Sequence, residues 1–107
     1  MPSVADFRQG MLVSIPLHLD DLPGKPKGAE IEAVYQKHYA GSRYVTLAKP
    51  EASGKLEPQS LNGTNNMELR VHASEKHRHA VLVAKLDNLG KGASGAAVQN
   101  LELMLGL

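Results

Sequence analysis

The spacing of apolar residues changes period along this chain, and that change restricts the fold more than any other feature. Met11, Val13, Ile15, Leu17 and Leu19 recur at every second position, the pattern of a strand with one buried face. Pro16 interrupts that run and cannot donate to a ladder, so one flank of the strand is expected to stay unpaired or distorted there. Asp20 to Gly28 is dense in Pro and Gly and reads as a loop. From Ala29 the period lengthens: Ile31, Val34, Tyr35, His38 and Tyr39 form the stripe of an amphipathic helix. Glu30 and Glu32 stand at its positive end, Lys37 and His38 at its negative end, and Gly41 is placed to stop it.

The short period then returns. Arg43 to Ala48 contains Tyr44-Val45-Thr46-Leu47, rich in strand formers, and Lys49 to Ser60 reads as a long surface loop. A turn over Leu61 to Asn66 leads to Met67, Leu69, Val71 and Ala73 alternating with Glu68, Arg70 and His72, a half-buried strand with a solvated face. Ser74 to His79 is a polar connector. Ala80 to Leu86 is apolar on both faces until Lys85, as expected of a central strand, and these two strands are predicted to form a hairpin. A glycine-bearing turn, Asp87 to Gly92, precedes a helix predicted from about Ala93, with Ala97, Val98, Leu101, Met104 and Leu105 on one face and Gly106 after it. The order predicts an α+β fold, a mixed or antiparallel sheet with helices on one face. The terminal helix needs a surface for its stripe, either this sheet or another domain.

At 107 residues the chain allows a single domain, residues 1–107, and its core must be thin, because it has one Phe, three Tyr and no Trp. Oligomerisation or a further partner segment is expected to supply the missing burial. Twelve basic against eleven acidic residues give a net charge of +1, so no global field draws in nucleic acid or an anionic membrane. The absence of Cys excludes disulfides, Cys-ligated metals and a thiol nucleophile from this chain. No apolar run reaches the ~20 residues of a membrane span, and Met1 to Gly10 has no signal-peptide core, so the expected location is the cytoplasm.

Few residues invite a chemical role. His72, His77 and His79 cluster, but Glu75, Lys76 and Arg78 interleave them in the manner of a solvated turn, and no metal-ligand spacing emerges. His18 and His38 read as partly buried structural groups, and Asp20-Asp21 and Glu30/Glu32 as solvated or capping carboxylates. The stretch with most information runs from Asp87 to Gly106. A strand end feeding Gly90, Gly92 and Gly95 would leave N–H groups open at a helix start beside Lys91, suited to an anion or a carboxamide. Close packing of the small residues Gly92, Ala93, Gly95, Ala96 and Ala97 on another backbone explains the same spacing, and spacing alone favours it.

Asp87-Asn88-Leu89-Gly90-Lys91-Gly92-Ala93-Ser94-Gly95-Ala96-Ala97-Val98-Gln99-Asn100 resembles the C-terminal signature of the N-acetyl-gamma-glutamyl-phosphate reductases, D-N-L-x-K-G-A-x-G-x-A-x-Q-N. Gln9 to Leu17 resembles the strand entering that family's catalytic sheet in its shorter subclass, and Asn62-Gly63-Thr64-Asn65 its G-T-N turn. The resemblance implies the C-terminal part of a two-domain enzyme of the aspartate-semialdehyde and glyceraldehyde-3-phosphate dehydrogenase type, reducing an acyl phosphate to the semialdehyde with NADPH in arginine biosynthesis. It implies a Cys nucleophile and a His acid–base, neither of which has a counterpart here, so the chain alone is expected to be inactive and not to bind NADP. It implies cofactor contact at Asn88, with Lys91 and Gly92 nearby, and places Gly10, Thr64 and Asn65 near the catalytic sheet. The partners it implies are an N-terminal Rossmann domain, against which the helix 93–105 would pack, and further copies of the chain. A stand-alone interaction module is the alternative reading.

Overall fold

The computed structural model describes residues 1–50 and 55–107. Its strands are β1 (Pro2–Ser3), β2 (Met11–His18), β3 (Val45–Leu47), β4 (Met67–Ser74) and β5 (His79–Leu86), and its helices α1 (Gly28–His38) and α2 (Gly95–Leu105). They form one mixed sheet in the order β1-β2-β5-β4-β3, antiparallel except for the parallel pair β3 and β4. The fold is therefore α+β, with the expected hairpin of β4 and β5 at its centre. The loop expected over Lys49 to Ser60 lies partly outside the described residues.

Register explains which side chains meet. Ile15 pairs with Leu82 and Leu82 with Val71, so the period-two residues of three strands share one face. α1 lies on the β3–β4 half of that face, with Gly28 seated against Ala73 and its N–H donating to Glu75 Oε1 at 3.0 Å. Ser14 N–H bonds Met1 O at 2.9 Å, and the two-residue alternation turns the nitrogen of Pro16 to that same flank. β1 pairs only with Leu12 and Val13, so Pro16 lies beyond its end, on the open flank the sequence predicts. β1 itself has no counterpart in the sequence reading, since two paired residues carry no periodic signal.

The opposite face departs from expectation at Arg70, which the alternation puts on the polar side of a half-buried strand and which is buried together with Lys85. Lys85 Nζ donates to Ser60 Oγ at 2.9 Å and lies 3.6 Å from Glu68 Oε2, which is 3.0 Å from Arg70 Nη1. The segment carrying Ser60 and the buried Leu61 reaches this face, so the charges compensate one another under protein. The apolar core is thin, as the composition requires: Leu19, Leu61, Val71, Ala80, Val83 and Leu86 are its buried members among the described residues.

Gly28 tests the seat of α1, because a Cβ there would overlap the Ala73 methyl. Gly28→Ala is expected to lower stability by about 1–3 kcal/mol in urea titration, as overpacking does, and Ala73→Gly in the same chain to recover part of the loss. A cost that Ala73→Gly leaves unchanged would contradict this packing.

Candidate functional site at the Asp87–Asn88 corner

Where β5 ends, Leu86 is followed by an aspartate that is 2 % exposed. Its carboxylate collects donors from three separate parts of the chain. Gln9 Nε2 donates to Oδ2 at 2.7 Å, Gly63 N–H to the same oxygen at 2.8 Å, and Leu89 N–H to Oδ1 at 2.9 Å. The Gly63 hydrogen bond is the largest influence on the acid; burial opposes it, and the Leu89 and Gly90 N–H groups with Gln9 add to it. The net effect holds the Asp87 carboxyl below its ordinary value of 3.8.

Asn88 extends the knot. Its Oδ1 accepts the Gly10 N–H at 2.8 Å, while Asn62 Nδ2 donates to the carbonyl of Gln9 at 2.9 Å. Gly10 has φ +117, and a Cβ on it would stand 2.6 Å from Pro58 O, so only glycine brings this strand entry so close to the turn. Gly63, with φ +78, directs its N–H at Asp87 from a turn closed by Thr64 Oγ1 on Leu61 O at 2.7 Å. The three motif segments, Gln9-Gly10, Asn62 to Asn65 and Asp87-Asn88, thus converge at one end of the sheet.

The glycine turn is spent on packing. Gly90 and Gly92 N–H groups both donate to Asp87 O, at 3.2 and 3.0 Å, and the Gly95 N–H donates to Gly90 O. A Cβ at Gly95 would overlap Asn65 Oδ1, and one at Gly92 would stand 3.2 Å from Leu86 Cδ1. Of the two readings of this spacing, close packing, the one that spacing alone favours, is what these three glycines show, because the turn folds back on the strand it leaves. α2 starts at Gly95 and not near Ala93, whose φ −138 and ψ −119 break the helical path. At the other end Gly106, φ +72, closes the helix with Leu107 N–H on Glu102 O at 2.9 Å.

The three residues predicted to face a cofactor do not share one pocket. Asn88 is half-buried against Gly10, Gly92 rests on Leu86, and Lys91 faces a cleft of about 480 Å³ with Tyr44, Gln99 and Glu102. The Lys91 ammonium donates to Gln99 Oε1 and lies 5.8 Å from the centre of the Tyr44 ring. Gln99, itself buried, passes the connection on through Nε2 to Asn65 O at 3.1 Å. Asp87, Gln9 and Gln99 were legible only as members of quoted runs; an acid closing an apolar strand before a glycine turn is the signal that marks the first of them.

Three of the histidines meet through their rings. His77 and His79 have ring centres 6.4 Å apart, His79 meets His18 edge to face at 4.8 Å, and His72 pairs across the sheet with Val81. No group of three or more His, Cys, Asp or Glu side chains placed to hold a metal ion occurs among the described residues. Among the same residues, no helix is long and apolar enough to cross a membrane.

Residues 1–88 match the family model of the semialdehyde dehydrogenase dimerisation domain. The chain belongs to that family. It is 47% identical over 109 residues to N-acetyl-gamma-glutamyl-phosphate reductase 2 of Pseudomonas putida, covering 99% of this chain and 35% of that protein. It is 51% identical over 108 residues to the N-acetyl-gamma-glutamyl-phosphate reductases of Brucella ovis and Brucella canis, covering 98% of this chain and 35% of each. This semialdehyde dehydrogenase domain therefore spans about a third of the length of the relatives it matches.

The corner gives the domain a signed pH dependence. A carboxyl whose folded value lies below its unfolded one stabilises fully above the unfolded value and loses that contribution as pH falls through the folded one. Asp87→Asn is expected to cost about 2 kcal/mol or more at pH 7, since several hydrogen bonds to a charged group are lost or weakened. The gap between the two proteins in urea titration should shrink as pH falls below 3.8. A gap independent of pH would show that the charge of Asp87 does not matter.

Proposed function

We propose that this chain is the sheet-bearing part of an NADPH-dependent N-acetyl-gamma-glutamyl-phosphate reductase, the part that presents Asn88 to the cofactor and self-associates. What supports the reading most is the convergence of Gln9-Gly10, Gly63 and Asp87-Asn88 on one buried carboxylate, because those are the segments in which the relatives' motifs lie. NADPH, when bound, supplies the hydride that reduces an activated acyl group to the aldehyde. The residues here fit a carboxamide of the cofactor. Asn88 has its oxygen committed to Gly10 N–H, which fixes the amide so that Nδ2, with no partner among the described residues, is left to donate. Lys91, held by Gln99 beside Tyr44, contributes charge and stiffness to the adjoining wall, and the Gly92 backbone shapes the turn between them.

The nucleophile belongs elsewhere. Covalent catalysis of this type requires a thiolate, and the chain has no Cys. The α2 face carrying Val98, Leu101, Met104 and Leu105 is more than half exposed at every one of these positions, although its sequence pattern is that of a buried stripe. α2 stands at the end of the sheet, fastened through Gly95 and Gln99, with its apolar side turned away from the chain. A cofactor-binding domain of Rossmann type, within the two thirds of the relatives' length that this chain does not span, is the natural cover for that face. We place the assembled enzyme in the cytoplasm, where arginine biosynthesis draws on NADPH.

Two outcomes test the reading. The chain alone, assayed with NADPH and N-acetyl-glutamyl phosphate, should stay at background; turnover by it would overturn the need for an external thiolate. In a polypeptide of the relatives' full length, Asn88→Asp keeps an acceptor for Gly10 N–H and replaces the amide donor with a second, negatively charged oxygen. Its reductase activity should fall about tenfold or more, the worth of one lost hydrogen bond, while its melting temperature stays near that of the parent. Unchanged activity would remove Asn88 from the cofactor wall.

A further inference from the structure

Lys91 has an electrostatic setting that the carboxylate corner does not account for. It stands half-buried in the cleft of about 480 Å³ between the entry to β3 and α2. Its ammonium donates to Gln99 Oε1, which leaves two of its three N–H donors without a partner among the described residues. The acid of the cleft is engaged elsewhere: Glu102 Oε2 lies 3.8 Å from Arg43 Nη1 and accepts the Tyr44 hydroxyl at 3.4 Å. Among the described residues no carboxylate comes within ion-pair distance of Lys91. The cleft therefore presents a cation matched only with a neutral amide and, at 5.8 Å, the Tyr44 ring.

Gln99 is the residue that keeps it so. It is 7% exposed, and both ends of its amide are used, Oε1 toward Lys91 and Nε2 toward Asn65 O at 3.1 Å. Only a neutral amide can accept on one side and donate on the other; a carboxylate there would face the Asn65 carbonyl without a proton to give and would cancel the charge of Lys91. Asn65 belongs to the turn whose Gly63 N–H donates to Asp87, so the ammonium is tied through Gln99 to the buried corner. A cation that is already ordered and partly dehydrated, with donors left over, is arranged to receive an anion. We propose that this cleft is a phosphate subsite, in which Lys91 donates to a phosphate oxygen and Gln99 is the positioning residue that holds the ammonium without neutralising it. The choice of phosphate rests on the reading of the chain as one wall of a reductase whose acyl phosphate and dinucleotide both carry that group.

Titration of the full chain with inorganic phosphate at constant ionic strength, followed by NMR at the Gln99 side-chain amide and the Tyr44 ring, should give saturable shifts. Lys91→Met should weaken binding about tenfold or more, the worth of one charge-assisted hydrogen bond, and Lys91→Arg should recover part of it. Gln99→Glu leaves the ammonium in place but gives it a counter-ion, and should weaken phosphate to a similar extent. If one of these variants fails to fold, the other decides. Shifts that do not saturate, or that persist unchanged in the folded variant, overturn the subsite. In a polypeptide of the relatives' full length, Lys91→Met should raise one KM with kcat near that of the parent, as loss of uniform binding does. A rise in the KM for NADPH assigns the phosphate to the dinucleotide, and a rise in that for N-acetyl-glutamyl phosphate assigns it to the acyl phosphate; two unchanged KM values overturn the part of Lys91 in the reaction. A full-length parent without reductase activity overturns the proposed function, while the phosphate titration of the chain stands or falls by itself.

Discussion

A single buried carboxylate holds one end of this structure's sheet together. Asp87 sits where the central strand stops, and an anion there is tolerable only because Gln9, Gly63 and Leu89 turn donors toward it. Each donor's segment is held by further polar contacts of the same corner, such as Gly10 N–H on Asn88 and Asn62 Nδ2 on Gln9 O. The strand entry at Gln9-Gly10 and the turn at Asn62 to Asn65 contribute few buried apolar side chains, so polar contacts decide where they lie. In a domain with so thin a core, charge-assisted hydrogen bonds carry a share of the specificity that packing carries in larger proteins.

From that corner the consequences run outward. Because the Gly90 and Gly92 amides fold back on the Asp87 carbonyl, the chain turns sharply, and α2 leaves the sheet at its end without crossing a face. Its small residues meet the Asn65 turn, and its large ones point away. Asn88, one residue past the carboxylate, is held by Gly10 in a single amide orientation. The corner that organises the fold therefore also fixes the amide of the residue beside it.

Much of the architecture was legible from apolar spacing. The alternation from Met11, from Met67 and from Ala80 marks β2, β4 and β5, and the longer period from Ala29 marks α1, because these patterns are local and repeat over at least one buried face. What spacing leaves open is long-range. Gln9 and Asp87 meet across 78 positions of chain, and no period connects them. Arg70 and Lys85 give no hint of their partners one strand at a time, and the Ser60 segment that bonds Lys85 belongs to a loop without pattern. The start of α2 was misplaced by two residues because Ala93 has every local reason to be helical and is bent by the packing of Gly90 and Gly95 on either side. The quoted motif segments meet at one corner, and the close packing that spacing alone favours for the glycines is what they show there.

Amide hydrogen exchange tests the central claim most directly. If the Asp87 carboxylate joins the segments into one unit, the amides of Gly63 and Leu89, together with Gly10 on Asn88, should exchange with a common opening free energy and lose protection together in Asp87→Ala. Loss confined to Leu89, with Gly10 and Gly63 as protected as before, would show that the segments hold their places without it and would contradict the account.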